Sequence, residues 1–418
     1  MKFEFHSVPR IVFGRGQFAR VGELAAELGH KALVITNVGL PGDGGVVDRL
    51  VGLLDQADVA SVVRTQAGEP QVADLDHALG VADQEACTLV VGLGGGSAID
   101  AAKATAALIT NRGQAGDYME VVGKGLPITQ PAAAWIAIPT TAGTGAEVTR
   151  NAVIGWKEKR FKASIRSPHL LARVALVDPE LTATAPPQVT ACCGMDALCQ
   201  LIESYTATGA TPLTDGLALE GVALAGRSLR IAYAEPANLD ARESMSAAAL
   251  LSGITLTNAG LGAVHGLAAP LGANLPIPHG AACAALLAPV IRANLAALRA
   301  QAPAAGPATA GPANAPSPTD GQARHSADQA RNYLARYAAI GRALLGRRDL
   351  DDDPAADAVA TICTTLASEL SIPPLSAFGL TPALADQIAE LAQKSSSMRY
   401  NPVPLSVQTL TEILLQAM

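Results

Sequence analysis

Leu89-Val90-Val91-Gly92-Leu93-Gly94-Gly95-Gly96-Ser97-Ala98-Ile99-Asp100-Ala101-Ala102-Lys103 decides how this chain folds. A short apolar run ends in glycines and an alanine-rich helical pattern follows at once, which is the order of a strand, a tight turn and a helix N-terminus. Glycines let a bulky ligand approach the backbone, and the exposed amides and dipole of a helix N-terminus attract an anion such as a pyrophosphate. Ser97 can cap the helix or bond a phosphate oxygen. A plain strand-to-helix turn is the alternative, but it rarely needs three consecutive glycines. In this context Gly94, Gly95 and Gly96 read as a phosphate-binding bend.

The same alternation extends to both sides. Residues 31–36 are a continuous apolar strand and 61–63 a shorter one, with helical patterns over 45–54 and 72–86. Residues 132–139 form a further strand, followed by Thr140-Thr141-Ala142-Gly143-Thr144-Gly145. Strands alternating with helices predict an α/β domain with an open parallel, Rossmann-like sheet, whose ligands sit outside the carboxyl ends of the strands. Three loops fall there, at 37–40, 94–97 and 140–145. The hydroxyls of Thr140, Thr141 and Thr144 can bond a sugar or phosphate, or satisfy their own turn. Residues 151–156 and 175–177 read as strands with a charged turn at 157–162 between them. Lys162 in that turn is either a phosphate or ribose contact or a solvated lysine.

From Pro187 onward the helical period takes over, which puts a domain boundary at 188: an α/β domain over 1–188 and an all-helical domain over 189–418. Residues 302–322 break the pattern, being rich in Pro, Ala and Gly with no periodic apolar face. Such a segment cannot bury enough surface to offset its ordering entropy and is expected to be a mobile insertion.

Composition narrows the function. Across 418 residues, 49% are hydrophobic and 16% charged, enough for two substantial cores. The net charge of −7 and the lack of a basic cluster argue against a nucleic-acid partner. No unbroken apolar run reaches the roughly 18 residues of a membrane span, and the N-terminus lacks a secretory apolar core, so a cytoplasmic protein is expected. The six cysteines are scattered and read as reduced thiols.

The helical half carries three histidines, and two of them lie in glycine- and proline-rich settings: Gly262-Ala263-Val264-His265-Gly266 and Pro278-His279-Gly280. Upstream, Gly194-Met195-Asp196-Ala197-Leu198-Cys199-Gln200-Leu201-Ile202-Glu203 sets Asp196 and Gln200 at i and i+4 on one helix face, in an otherwise apolar helix. A buried aspartate needs a partner. Two histidines and that carboxylate make three ligands for a divalent metal with a position left for substrate; a hydrogen-bonded Asp–His pair without metal is the alternative.

These motifs, with Pro139-Thr140-Thr141-Ala142-Gly143-Thr144-Gly145-Ala146-Glu147-Val148-Thr149, make the chain resemble the iron-containing (group III) alcohol dehydrogenases over nearly its whole length. The resemblance implies dehydroquinate synthase-like architecture, with an active site in the cleft between the domains. It implies NAD as cofactor, held by Asn37, Gly94, Gly95, Gly96, Ser97, Asp100, Thr140, Thr141, Thr144, Asn151 and Lys162. It also implies Fe²⁺ or Zn²⁺ at Asp196, Gln200, His265 and His279, of which Asp196, His265 and His279 would be catalytic. A small alcohol or aldehyde substrate and a homo-oligomer, commonly a dimer, follow on the same grounds.

Three positions depart from the family pattern. Gln200 stands where the family has a histidine ligand, and an amide oxygen is a poorer ligand than imidazole for these ions. Ala269 replaces a histidine thought to relay protons. Asn37 replaces an aspartate that selects NAD, which leaves NADP open. A metal-independent enzyme resembling maleylacetate reductases and a catalytically silent nucleotide binder therefore remain alternatives. A dehydroquinate-synthase-like lyase would need a different zinc set with a glutamate ligand, which the sequence does not offer.

Overall fold

The computed structural model describes residues 2–37, 39–40, 44–159, 161–302 and 318–418, with 318–325 as helical backbone. Strands β1 (Arg10–Phe13), β2 (Lys31–Asn37), β3 (Ala60–Gln66), β4 (Leu89–Gly94), β5 (Trp135–Pro139) and β8 (Val174–Val177) form one parallel sheet in the order β1-β8-β5-β4-β2-β3. The four inner strands β8, β5, β4 and β2 are apolar on both faces because both are covered. Ala32, Val34, Leu89, Val91, Ile136 and Ile138 pack against α1 (Val21–Ala26) and α2 (Val46–Asp55). Leu33, Ile35, Val90, Trp135 and Ala137 face α3 (Val72–Gln84), α4 (Gly96–Thr110) and the single turn α5 (Ala115–Tyr118). The chain runs outward from β2 to β3, then returns to β4 on the other side of β2, so the direction of winding reverses between β2 and β4. That reversal opens the crevice in which such sheets bind ligands.

One expectation for this half needs correction. Residues 157–162 are not one charged turn: Lys157–Lys159 is a 3-10 turn, and β7 (Phe161–Arg166) pairs antiparallel with β6 (Asn151–Trp156), bringing Lys162 opposite Gly155. The inward Ala163 and Ile165 alternate with Lys162, Ser164 and Arg166, a period-two pattern that the neighbouring charges obscure.

Helices α6 (Pro187–Thr206), α7 (Pro212–Ala234), α8 (Leu239–Ala259), α9 (Ala263–Asn274), α10 (His279–Gln301), α11 (Pro318–Leu345), α12 (Asp352–Glu369), α13 (Pro382–Ala392) and α14 (Val407–Gln416) make up the rest, around one apolar core. Helix α9 is the unforeseen one. Glycines and Pro270 hide its period, yet Val264, Leu267, Ala268 and Leu271 follow i, i+3, i+4, i+7 and are all buried. Although Arg292 and Asn294 interrupt its apolar run, α10 is long and apolar enough to cross a bilayer by length and composition; 72% of its apolar window is buried inside the protein. The predicted insertion at 302–322 lies mostly outside the described residues, and its last five residues begin α11.

Candidate active site

The glycine bend closes the carboxyl end of β4. Gly94 has φ +153°, and a Cβ there would stand 2.8 Å from the Ala98 Cβ and clash with the Asn37 amide oxygen. Asn37, at the end of β2, accepts the Gly95 amide at 2.7 Å and so pins the bend from below. The loop after β5 covers it from the side. Thr140 donates its backbone N–H to Gly94 O at 2.9 Å. The Thr141 hydroxyl lies 3.4 Å from where a Gly95 Cβ would be, and the Thr144 hydroxyl 2.9 Å from the corresponding point on Gly96. Side chains at these glycines would fill the space in front of the α4 N-terminus. Ser97 does not cap that helix; Gly95 is the N-cap and no side-chain capping bond is made.

Asp100, Asn151 and Lys162 stand further off. Asp100 accepts from the Val153 amide at 3.0 Å and from Lys103 Nζ at 3.1 Å, tying α4 to β6. Lys103 is fully buried and also donates to Thr149 Oγ1 at 2.7 Å and to the Asn151 carbonyl at 2.5 Å. These three acceptors keep an otherwise costly buried ammonium in place, although burial still lowers its pKa. Lys162 pairs with Glu69, and its Nζ is 3.5 Å from the point a Gly272 Cβ would occupy on α9.

Asp196, His265 and His279 converge. Asp196 comes from the middle of α6, His265 from the first turn of α9, and His279 opens α10. Asp196 Oδ1 is 3.4 Å from His265 Nε2 and 3.7 Å from His279 Nε2, and the ring centroids are 5.4 Å apart. Asp196 and His265 are buried, whereas the His279 side chain is 42% accessible and is the exposed member of the three. Asp196 Oδ1 is itself buried and has no hydrogen-bond partner among the described residues. An orphaned carboxylate oxygen between two imidazole nitrogens suits a cation.

Gln200 lies beside this cluster with its amide committed elsewhere. Its Nε2 donates to Asp196 Oδ2 at 3.0 Å and its Oε1 accepts from Ser252 Oγ at 2.8 Å. A carboxylate only accepts, so the NH₂ must face Asp196 and the amide oxygen turns away from the histidines. In place of Gln200, the structure brings in Cys283, with Sγ 3.7 Å from His265 Nε2 and 3.6 Å from His279 Nε2. Glu203 holds the far side of His265, its Oε2 2.6 Å from Nδ1, while its Oε1 accepts the Val264 amide at 2.7 Å.

The sequence reading assigned no role to Cys283 or Glu203. Each carried a signal: Cys283 follows His279 by four residues, and Glu203 follows Asp196 by seven, so each shares a helix face with a predicted ligand. Ser252 on α8 had no such signal.

Charge within the cluster is tightly coupled. Burial, aided by Cys283, raises the Asp196 carboxyl. The His279 imidazole is pushed up to about 9, first by Cys283 and, against burial, by Asp196. Burial opposes charge on His265, yet Cys283, Asp196 and Glu203 hold it well above the ordinary histidine range. Burial likewise works against ionising Cys283, but Cys199 and the two imidazoles bring its thiol well below the usual cysteine value. The set is rich in acceptors and needs positive charge to balance it.

A continuous line of contacts joins this cluster to the glycine bend. The loop after β5 carries Thr141 and Thr144 against the bend. Its Gly143 packs on Cys193 of α6, and its Gly145 (φ +60°) meets the backbone of Gly253 on α8. Ser252 Oγ lies 3.4 Å from Gly143 O and bonds Gln200, which in turn bonds Asp196.

Residues 9–179 match the family described as iron-containing alcohol dehydrogenase, and residues 190–418 match the C-terminal part of the Fe-containing alcohol dehydrogenase family. A choline dehydrogenase of Bacillus subtilis (strain 168) is 31% identical over 409 residues, covering 97% of this chain and 92% of that protein. A crystal structure of 1,3-propanediol oxidoreductase superposes with a TM-score of 0.87 at 31% identity, covering 100% of both chains. Sulfoacetaldehyde reductase from Bifidobacterium kashiwanohense, solved in complex with NAD+, superposes with a TM-score of 0.82 at 29% identity, covering 100% of this chain and 99% of that one.

Proposed function

The chain belongs to the iron-containing alcohol dehydrogenase family, and we propose that Asp196, His265 and His279 hold its catalytic metal beside a dinucleotide seated on Gly94, Gly95 and Gly96. The protein is a nicotinamide-dependent oxidoreductase that interconverts CH–OH groups and carbonyls. The observation that carries the site assignment is Asp196 Oδ1, buried, without a hydrogen-bond partner among the described residues, and 3.4 and 3.7 Å from two imidazole nitrogens.

Bound at these residues, Fe²⁺ or Zn²⁺ would supply Lewis acidity that stabilises developing alkoxide charge by several kcal/mol. The chain's own groups prepare for this. Glu203 on His265 Nδ1 fixes the tautomer that leaves Nε2 as a lone-pair donor. Gln200 occupies Asp196 Oδ2 and leaves Oδ1 free. The bend and Thr141 and Thr144 align the pyrophosphate, and hydride transfer itself is the chemistry of the nicotinamide. Ala269 offers no imidazole, so the proton leaves through water, a ribose hydroxyl or another group. Asn37 brings no charge against a 2′-phosphate, which leaves NADP open beside NAD. The substrate class is a small-molecule alcohol or aldehyde, and an aromatic content of 3% points to an aliphatic pocket.

The test is reduced-nicotinamide absorbance with NAD or NADP and a panel of alcohols, before and after chelation and readdition of Zn²⁺ or Fe²⁺. Asp196→Ala and His265→Ala are expected to lower kcat/KM by roughly a thousandfold with the fold intact by circular dichroism. Turnover indifferent to both chelator and Asp196→Ala would instead assign a metal-free reductase.

A further inference from the structure

We propose that Cys283, as a thiolate, is the fourth protein ligand of this centre, taking the place that Gln200 leaves open, and that the resulting set prefers Zn²⁺ to Fe²⁺. The inference rests on the reading of Asp196, His265 and His279 as ligands.

The spacing carries it. Donors about 2.0–2.3 Å from one ion in a tetrahedral array stand about 3.3 Å apart for an N–O edge and about 3.5 Å apart for an N–S edge. The measured edges are 3.4 Å from Asp196 Oδ1 to His265 Nε2, 3.7 Å from Oδ1 to His279 Nε2, and 3.7 and 3.6 Å from Cys283 Sγ to the two imidazoles. All four donor atoms lie within 4.8 Å of one another. Four of the six edges already sit near the spacing of a four-donor site, and a substrate oxygen would add as a fifth ligand, an expansion that catalytic zinc sites allow.

Helix geometry explains the approach. Side chains on a helix lean toward its N-terminus, so Cys283, one turn into α10, points back at His279 in the first turn. Gln200 cannot serve equally well, because both ends of its amide are bonded to Asp196 and Ser252. Cys199 cannot either, since its Sγ lies 3.9 Å from His265 Nδ1, on the ring edge that faces Glu203 rather than the cluster. Thiolate is a soft ligand of the kind that selects zinc, so exchanging a neutral amide for sulfur favours Zn²⁺. Binding displaces to solvent the protons that the thiol and the two imidazoles share in the metal-free protein, which leaves neutral imidazoles with a carboxylate and a thiolate to offset the dipositive ion.

Cobalt(II) titrated into chelator-treated full-length protein reads both layers separately. One equivalent is expected to bind with a thiolate-to-cobalt charge-transfer band in the near ultraviolet. Cys283→Ala and Cys283→Ser should abolish the band and weaken Zn²⁺ binding by about tenfold or more, while Cys199→Ala keeps the band. Stoichiometric cobalt without a thiolate band, or a band that survives in Cys283→Ala, would overturn the role of Cys283 and leave the three-ligand reading standing. Failure of the wild-type protein to bind cobalt or zinc at all would remove both.

Discussion

Glu203 Oε2 lies 2.6 Å from His265 Nδ1, and its other oxygen accepts the Val264 amide at 2.7 Å. One carboxylate thus orients the imidazole and satisfies an N-terminal amide of the helix that carries it. Outer partners of this kind are commonly worth 10–100-fold in metal affinity. Glu203→Gln is expected to weaken Zn²⁺ binding by about that factor, measured by calorimetric titration, while the dissociation constant for NAD is unchanged. Equal loss of both affinities would mean that Glu203 supports the fold rather than the ring.

The glycine bend separates strain from ligand access. Gly94→Ala places a Cβ against Asn37 at φ +153° and should lower the melting temperature. At Gly96→Ala the three atoms nearest the new Cβ all belong to the Thr144 side chain, the first at 2.9 Å, so the protein should remain folded. It should nonetheless bind NAD roughly tenfold more weakly or worse, about 1.4 kcal/mol. Intrinsic fluorescence titration and a thermal melt together check the pair; normal NAD affinity in Gly96→Ala would move the pyrophosphate elsewhere.

Gln200→His places an imidazole one helical turn from Asp196. A further nitrogen donor should tighten metal binding by about tenfold or more, again about 1.4 kcal/mol, and calorimetric titration of zinc reads it. Unchanged affinity would show that position 200 does not reach the ion.

Stability should also depend on pH through a residue away from the cluster. Burial pushes the Glu147 carboxyl up to about 7 from 4.5, although its own backbone amide and Lys103 pull the other way. Between those values the native state holds a proton that the unfolded chain has released. This contribution is therefore full below about pH 4.5 and is lost as pH rises through 7. The difference corresponds to about 3 kcal/mol. Urea unfolding from pH 4.5 to 8 should show this decline, and Glu147→Gln should flatten it. Identical pH profiles for the two proteins would contradict it.

Periodicity, glycine placement and helix-face spacing are local properties, and they were legible in the chain itself. The strand–glycine–helix order at 89–103, the i and i+4 relation of Asp196 and Gln200, and the change to helices at Pro187 needed no coordinates. Helix α9 and strand β7 were obscured because Pro270 with its flanking glycines, and the run of lysines, mask a helical period and a two-residue alternation.

Local pattern has no means of saying which way a side chain turns once helices distant in sequence pack together. The amide of Gln200 is claimed by Ser252 from α8, 52 residues away, and Cys283 closes on two imidazoles from different helices. Asp100, by sequence a neighbour of the phosphate bend, is drawn instead to β6. These outcomes follow from competition among buried donors and acceptors for the few partners within reach, and packing between distant segments is what sets that reach.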